Sequence, residues 1–209
     1  ENWIPMESRP NIGNVTGVTM NDLLKNAMRM RPDRIIMGEV RGEEAQTLFV
    51  AMDTGHSGSM GTLHSNTARE MMTRLQTEPM NVPQSMLHLL ELVVVLQKVQ
   101  DNKEGMKRRV LQVAEISHLD TNVLLSNIFE RNPDMDIIMR TDTPSHLLQV
   151  MSDLSGKGKQ RIMQEMEVRE KILEWMLKHN IRDYASVEKV VQQYYFDPMS
   201  VLEQVNKDL

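Results

Sequence analysis

The chain lacks several features that define common classes of protein. Its 209 residues include no cysteine, which excludes disulfides and thiolate chemistry and is typical of a reducing cytosol. No apolar run is long enough to cross a bilayer, since the most apolar stretch, residues 89–96, is short and interrupted by Glu91. The formal net charge of −5 argues against a generally basic nucleic-acid-binding protein. The sequence also contains no phosphate loop of the Gly-x-x-x-x-Gly-Lys-Ser/Thr type.

The composition that is present is ordinary for a globular protein, apart from its methionines. Hydrophobic residues make up 40% and charged residues 25%, and the length is sufficient for a domain with its own core. Aromatic residues account for only 4%, whereas methionine occurs 19 times, which indicates that methionine side chains fill gaps in the core. The chain opens with Glu1 and a Pro-, Gly- and Asn-rich loop over residues 8–18, so we expect an internal portion of a longer polypeptide.

The N-terminal half predicts alternating helices and strands. A capping box at Thr19 and Asp22 starts a helix that Pro32 ends. Strands are predicted over residues 34–38 and 59–63, with a helix over residues 43–52 between them and Gly55 as its left-handed terminator. A further helix, capped at Ser65 or Asn66, follows to residue 76. This order predicts a parallel sheet with ligands at the carboxyl ends of its strands.

Beyond Pro83 the pattern changes from alternating elements to hairpins and then helices. A helix from Pro83 leads to a β-rich run over residues 92–99, which a turn over residues 101–105 connects to a strand over residues 109–116. A second hairpin is predicted across residues 131–134. From residue 143 the spacing is helical, with a joint at residues 155–159; the recurring positions are Ile162, Met166, Leu173 and Leu177, then Val187, Val191 and Tyr194.

Candidate functional residues follow the two predicted parallel strands. Glu39 and Arg41 come after the first strand, and a glycine-rich segment brings His56, Thr62 and His64 to the second. Carboxylate, guanidinium and imidazole groups at adjacent strand ends are suited to binding phosphate, metal or water. Glu39 could orient or deprotonate an attacking water, or hold Mg²⁺ through water. A simple ion pair with Arg41 is the alternative.

The other candidates also have two interpretations each. Arg41 is equally a phosphate ligand or a structural partner of Glu39. His64, with Thr62 behind it, is interpreted as a contact to the terminal phosphate rather than a buried structural histidine. His56 either contacts the nucleotide or caps helix carbonyls.

Three arginines precede the first strand, namely Arg29, Arg31 and Arg34. The commoner explanation is a solvated helix end, where the macrodipole favours cations. Since an arginine supplied across a subunit boundary can stabilise phosphoryl transfer, one of them acting in trans is the alternative.

Two stretches closely resemble one protein family. The segment around Glu39 resembles the Walker B region of the type II/type IV secretion ATPases, and the segment from His56 to His64 resembles that family's histidine box. The resemblance rests on residues 23–25, 31–45, 55–66, 68–70 and 74–75 and extends over roughly residues 3–99. Residues 60–64 and 79–83 are most similar to the archaeal branch, which drives archaellum and type IV pilus assembly.

The resemblance implies an α/β fold with a RecA-like (P-loop NTPase) core. The core, incomplete here, is expected over residues 1–119. A β-hairpin and helical extension that makes subunit or partner contacts is expected over residues 120–209. The family works as a cytoplasmic hexameric ATPase, peripheral at the inner face of the membrane and docked on a polytopic membrane platform protein. Its expected role is assembly or secretion of pilin-like, archaellin-like or other protein substrates, without direct nucleic-acid contact.

The resemblance also implies ATP and Mg²⁺ as cofactors, with Glu39 as the Walker B carboxylate and His56 and His64 as histidine-box residues. Together with the residue-level interpretation, Glu39 and His64 are predicted to be catalytic, and Glu39 to hold Mg²⁺ through water. Arg41, His56 and Thr62 are predicted to bind nucleotide. Family members carry a phosphate loop before this region, so we expect this chain alone to bind ATP weakly and to hydrolyse none.

Two other classes of function stay open. One is a non-catalytic assembly or interaction module derived from the same family, which the missing phosphate loop favours for this chain. The other is a metallohydrolase with Asp53, His56 and His64 as ligands, although this histidine spacing is not a recognised zinc pattern. The transported substrate stays open between archaellin, pilin, another secreted protein and DNA.

Overall fold

A computed structural model describes residues 3–13, 15–101, 105–119 and 122–207. The chain divides into two compact units, Glu1–His146 and Leu147–Leu209. This division falls after the last strand, whereas the boundary predicted between residues 119 and 120 marks where the resemblance to an ATPase core ends. The predicted boundary between residues 119 and 120 describes how far the resemblance to the family extends, not how the chain packs, and it stays a prediction.

The first unit begins with the alternating elements that the sequence predicts. They are α1 (Met20–Arg29), β1 (Ile36–Met37), α2 (Glu44–Asp53), β2 (Met60–Gly61) and α3 (Ala68–Gln76). β1 and β2 pair in parallel, with Ile36 opposite Met60, so the predicted parallel pairing is confirmed for these two strands. Both strands are shorter than predicted, because few backbone hydrogen bonds connect them. Among these, Met60 N–H donates to Ile35 O at 2.9 Å and Val40 N–H donates to Thr62 O at 2.7 Å.

Local signals explain where these helices begin and end. The Thr19 hydroxyl oxygen accepts from the Asp22 N–H at 3.1 Å and the Asp22 carboxylate accepts from the Thr19 N–H at 3.0 Å, which confirms the capping box. α3 is capped by Thr67, whose hydroxyl oxygen accepts from Glu70 N–H at 3.1 Å, rather than by the predicted Ser65 or Asn66. Gly55 follows α2 with φ +109°, as expected of the residue that ends this helix.

The remainder of the first unit is an antiparallel sheet. A 3₁₀-helix (Gln84–Leu89) replaces the helix predicted from Pro83, and four strands follow in the order β3-β4-β5-β6: β3 (Leu92–Asp101), β4 (Gly105–Leu119), β5 (Asn122–Asn132) and β6 (Ile137–Arg140). Both predicted hairpins are confirmed. The turn predicted at residues 101–105 lies mainly outside the described residues.

One core joins the helices, β1 and one face of the antiparallel sheet. Leu24, Met80 and Leu87 are almost completely buried in it, and Ile116 contributes from β4. Methionines fill part of this core, as predicted, and the buried ones are Met37, Met71, Met72 and Met80. The core therefore fixes β1, and with it the segment that follows β1, on a well-packed base.

The second unit is helical, as the spacing predicts. Its helices are α4 (His146–Ser155), α5 (Lys159–Lys178), α6 (Tyr184–Phe196) and α7 (Pro198–Lys207), and the predicted joint falls between α4 and α5. Ile172 and Met176 of α5 pack with Val201 and Val205 of α7. Among the described residues, no helix is both long and apolar enough to cross a membrane.

Candidate functional site at the ends of β1 and β2

Parallel pairing brings the two predicted motifs to the same edge of the small sheet. Glu39 lies two residues after β1 ends, and His64 lies three residues after β2 ends. Glu39, Arg41 and His64 meet there, so the structure brings together three of the predicted site residues. The site lies at the carboxyl ends of the strands, where ligands of parallel sheets are expected.

The two oxygens of the Glu39 carboxylate have different surroundings. Arg41 Nη2 donates to Oε2 at 2.5 Å. Oε1 contacts Arg41 Nε and lies 3.2 Å from His64 Nε2, but neither contact has the geometry of a hydrogen bond. Within the described residues Oε1 therefore accepts no hydrogen bond, although the atom itself is shielded from solvent. A further donor or a metal-bound water could therefore reach Oε1 only if the Arg41 or His64 side chain moved aside.

The charges around Glu39 keep it ionised at neutral pH. The hydrogen bond from Arg41 lowers its pKa most, partial burial opposes this, and the charges of Arg41, His64 and Arg74 lower the pKa further. The same hydrogen bond raises the pKa of Arg41. The Arg41 and His64 side chains are 71% and 81% exposed, so this cluster contributes little to stability and stays accessible to a ligand.

Thr62 holds the loop that carries Glu39. Its hydroxyl donates to Gly38 O at 2.5 Å, and its carbonyl oxygen accepts from Val40 N–H at 2.7 Å. These two bonds clamp the residues on either side of Glu39 to the end of β2. The observed contacts of Thr62 are thus positional, and its predicted contact with nucleotide stays a prediction.

His56 lies apart from this cluster. Its Nδ1 is 2.7 Å from Pro32 O. Because a carbonyl oxygen only accepts, Nδ1 carries the proton and donates a hydrogen bond to Pro32 O, in the loop before β1. Ser59 reinforces the same connection, since its hydroxyl donates to His56 O at 2.7 Å and accepts from Ile35 N–H at 3.0 Å. The structure shows no hydrogen bond or ion pair from His56 to Glu39 or His64 in the described chain, and its role in nucleotide binding stays a prediction.

The described residues contain no group of three or more histidine, cysteine, aspartate or glutamate side chains that could hold a metal ion directly. The metallohydrolase hypothesis, with Asp53, His56 and His64 as ligands, therefore gains no support from the geometry. A metal bound through water to Glu39 alone does not require such a group.

Two residues at the site were not singled out from the sequence. Arg74, on the last turn of α3, donates from Nη1 to His64 O at 2.5 Å, which fixes the backbone that carries the imidazole. Glu44, in the first turn of α2, accepts from the N–H groups of Arg41 at 2.6 Å and Gly42 at 2.8 Å. The sequence signals that could have identified them are an acidic residue in the first turn of α2 and a basic residue in the last turn of α3.

The three arginines before β1 show no contact with Glu39 in the described chain. Arg29 lies in the last turn of α1, as the macrodipole interpretation predicts. Arg34 lies against Gly58, where an added Cβ would be 3.2 Å from Arg34 Nε, and Gly58 has φ +78°. The proposed action of one arginine in trans stays a prediction.

The fold and the site define a mixed α/β protein with an acidic and basic cluster at the carboxyl ends of two parallel strands. Comparison with known proteins identifies the family. The chain belongs to the type II/IV secretion ATPase family, since residues 6–194 match the family described as "Type II/IV secretion system protein". Two uncharacterized proteins of Methanocaldococcus jannaschii are 34% and 32% identical, each over 92% of this chain.

Other relatives, matched over a shorter part of the chain, belong to bacterial transfer systems. A conjugal transfer protein TrbB of Rhizobium radiobacter is 41% identical over 105 residues, which is 50% of this chain. A crystal structure of the VirB11 ATPase from the Brucella suis type IV secretion system, in complex with sulphate, is 27% identical over 46% of this chain, with a TM-score of 0.39. The chain spans 72% of one of the archaeal relatives but 36% of the other, and 32% of TrbB.

Proposed function

We propose that this chain forms the Walker B and histidine-box part of a RecA-like ATPase that drives protein assembly or secretion. The proposed substrates are pilin-like, archaellin-like or other proteins. The observation that carries the proposal is an ionised Glu39 that is held between Arg41 and His64 at the ends of parallel strands. Membership of the secretion ATPase family supports it.

The residues present fit one side of a nucleotide site. The Glu39 carboxylate is proposed to hold a water on Mg²⁺ or the attacking water, and it is ionised because Arg41 lowers its pKa most. His64, whose Nε2 lies 3.2 Å from Glu39 Oε1, is proposed to sense the same water or the terminal phosphate. When bound, Mg²⁺-ATP supplies the phosphoanhydride bond and the metal charge that screens it. Glu39 and His64 are therefore the proposed catalytic residues.

Arg41 is the proposed phosphate ligand of the site. Its guanidinium is 71% exposed and tied to Glu39 on one edge only, so it can bear phosphate charge while still pairing with the carboxylate. His56 and Thr62 are proposed to bind nucleotide as well. Their side chains also hold the loops around β1 and β2 in place.

Exposed apolar faces support the proposal that the RecA-like core is incomplete. Ile36 and Met60, paired across β1 and β2, are 70% and 55% exposed, whereas parallel sheets are normally covered on both faces. Leu92, Val94 and Leu96 form a second exposed row on the edge strand β3. A complete core would cover these rows with a further segment, and the proposed phosphate loop belongs to that segment.

The broader architecture is proposed from the family. It comprises a hexameric ring at the cytoplasmic face of the membrane, docked on a polytopic platform protein. A non-catalytic assembly module is the second candidate, and the pairing of Arg41 with Glu39 favours it, since an ion pair can exist without any substrate.

Completion of the core tests the proposal. A chimaera would place the phosphate-loop half of a family member before this chain, and a matched control would carry alanine in place of the phosphate-loop lysine. We expect Mg²⁺-dependent ATP hydrolysis from the chimaera and none from the control or from the present chain alone. An inactive but folded chimaera would favour the assembly module, and turnover by the chain alone would refute the proposed incompleteness.

A further inference from the structure

One oxygen of Glu39 is closed off from solvent although it accepts no hydrogen bond. Glu39 Oε1 has almost no solvent-accessible surface, and it has no hydrogen-bond partner within the described chain. The side-chain nitrogens against it are Arg41 Nε and His64 Nε2, the latter at 3.2 Å. An ionised oxygen without a donor lacks the stabilisation that water would give it. The closed arrangement therefore costs free energy that a new donor would recover.

Arg41 and His64 hold the Glu39 carboxylate with different strength. Arg41 contacts both oxygens, since Nη2 donates to Oε2 at 2.5 Å and Nε lies against Oε1. His64 contacts Oε1 alone, without the geometry of a hydrogen bond. Its side chain is 81% exposed, and the ring has no other hydrogen bond or ion pair in the described chain. Because charge-assisted hydrogen bonds are the stronger contacts, the imidazole is the side chain that can leave.

The backbone that carries this imidazole is fixed. His64 O accepts from Arg74 Nη1 at 2.5 Å, which ties the main chain at His64 to α3. Two residues earlier, Thr62 is hydrogen-bonded to the backbone on either side of Glu39. Uncovering of Oε1 therefore requires only rotation of the His64 ring about its own side-chain bonds. Exposed side chains complete such rotations in picoseconds to nanoseconds.

A phosphate group is the ligand that Arg41 and His64 can share. Arg41 uses one edge of its guanidinium for Glu39, and the other edge matches two phosphate oxygens. A phosphate on that edge lies close to the imidazole, because Arg41 and His64 contact the same oxygen of Glu39. An imidazole N–H can donate to a phosphate oxygen. Movement of the ring from Glu39 to the phosphate thus gains a hydrogen bond and breaks none.

We propose that the His64 imidazole is a lid on Glu39 Oε1 and that a phosphate bound at Arg41 opens it. Without phosphate, the ring keeps other donors away from Oε1. With phosphate, the ring donates to the phosphate, and Oε1 accepts from a water. The carboxylate therefore acts on water only when a phosphate is present. The opening by phosphate rests on the proposed function, whereas the closure rests on the contacts of Glu39 alone.

Access of Mn²⁺ to Glu39 in the full chain tests the closure, since Mn²⁺ at a carboxylate broadens its carboxyl NMR signal. In the unaltered chain we expect weaker broadening of Glu39 than of Glu78, which is exposed. His64→Ala should broaden Glu39 at least about threefold more, because the covering ring is gone. His64→Phe keeps a ring and loses the nitrogens, so it should leave Glu39 covered. Both variants remove the same imidazole, and its charge therefore cannot separate them.

Two results of this measurement would overturn the closure. One is equal broadening of Glu39 in the unaltered chain and in His64→Ala, whatever Arg41→Gln does; if Arg41→Gln alone admits Mn²⁺, Arg41 is the cover. The other is a His64→Phe variant as open as His64→Ala, which would show that the ring does not shield the oxygen. His64 is exposed, so its variants are expected to fold.

Inorganic pyrophosphate, added to the full chain without metal, tests the opening. We expect it to weaken the nuclear Overhauser contact between the His64 ring and the Glu39 side chain saturably, by at least about twofold. Arg41→Gln lacks the phosphate-binding fork and should not respond. Potassium chloride at the same ionic strength is the control for screening. An unchanged contact up to about 50 mM pyrophosphate, or an equal loss with chloride or in Arg41→Gln, would overturn the opening.

The lid and the proposed ATPase activity can fail separately, because these measurements involve no ATP. An active chimaera whose Glu39 is equally open in the unaltered chain and in His64→Ala would refute the lid and keep the proposed function. A folded but inactive chimaera, beside a lid that pyrophosphate opens, would refute the proposed function and keep the lid.

Discussion

Glu39 and Asp136 are two similarly exposed carboxylates that arginines hold in different ways. Their side chains are 28% and 34% exposed, and arginine hydrogen bonds lower the pKa of both. At the turn between β5 and β6, both oxygens of Asp136 accept from Arg109, and Oδ1 also accepts from Arg131. At the end of β1, Arg41 alone holds Glu39: its Nη2 donates to Oε2 and its Nε forms an ion pair with Oε1, which also lies 3.2 Å from His64 Nε2.

The difference separates a structural carboxylate from a candidate catalytic one. Asp136 is saturated by two guanidinium groups that join neighbouring strands, so it has no free acceptor for a ligand. Glu39 is ionised by the same physical means but is held by a single arginine, and the exposed His64 lies beside it. A lowered pKa is therefore common to both sites, and the exposed imidazole of His64 beside the carboxylate is the feature that distinguishes Glu39 from Asp136.

Removal of Arg41 should have the largest effect among the tests that sharpen this comparison. In the completed chimaera, Arg41→Ala should reduce ATP turnover by about 100-fold, because a charge-stabilising donor is lost at the reacting phosphate. Arg41→Lys should restore part of the rate, since it keeps the charge without the planar fork. A loss of less than about threefold in Arg41→Ala would make Arg41 an ion-pair partner only.

Glu115 is a third carboxylate, and it tests whether a carboxylate with fully used oxygens serves to stabilise the fold, as proposed for Asp136. It is only 4% exposed and accepts from Ser145 Oγ at 2.5 Å and His146 N–H at 2.7 Å, at the start of α4. Glu115→Ala should lower the free energy of unfolding by about 1–3 kcal/mol, because buried donors lose their acceptor. Urea unfolding measures this, and an unchanged midpoint would remove Glu115 from the structural class. Glu78→Ala, on an exposed loop, is the control.

Asp136 should affect stability in a pH-dependent manner. Its pKa is lower in the folded chain than in the unfolded chain, mainly because of Arg109, so its stabilising contribution is complete above the unfolded value of about 4. That contribution is lost as the pH falls from there through the folded-state pKa. The unaltered chain should thus exceed Asp136→Asn in stability at pH 7, and the difference should shrink below about pH 4. A constant difference across this range would contradict the assignment.

Arg74 should have the smallest effect, since it touches the site only at the His64 backbone and its charge is the last-ranked influence on the pKa of Glu39. Arg74→Gln should reduce turnover of the chimaera about fivefold, equivalent to one hydrogen bond. It should also weaken the nuclear Overhauser contact between the His64 ring and the Glu39 side chain, which a general loss of stability would not do selectively. Arg69→Gln, on an exposed position of the same helix, is the control. An unchanged contact would exclude a positioning role.

Sequence reasoning predicted the features that depend on local signals. The capping box at Thr19, the positive φ at Gly55 and the parallel pairing of β1 with β2 follow from residue types and spacing within short segments. Parallel pairing in turn was sufficient to predict that Glu39 and His64 meet. These are contacts that one strand–helix–strand unit fixes by itself.

Features that depend on strand register and tertiary packing could not be predicted in this way. The arginines on Asp136 come together only because β4, β5 and β6 pair in a particular register, and Arg74 reaches His64 only through the orientation of α3. Helical spacing grouped Ile162 with Leu173 and Leu177, yet packing buries Ile162 and exposes the other two. Periodicity identifies a helix, whereas burial of each face depends on its neighbours.

The comparison between Glu39 and Asp136 is tested most directly by ATP turnover of the completed chimaera with each carboxylate neutralised in turn. We expect Glu39→Gln to lose at least about 100-fold in turnover, because the general base or metal-water ligand is removed. Asp136→Asn, measured where it is fully folded, should stay within about threefold of the unaltered protein. Retained activity in Glu39→Gln, or equal losses in both variants, would contradict the assignment of Glu39 as the catalytic carboxylate.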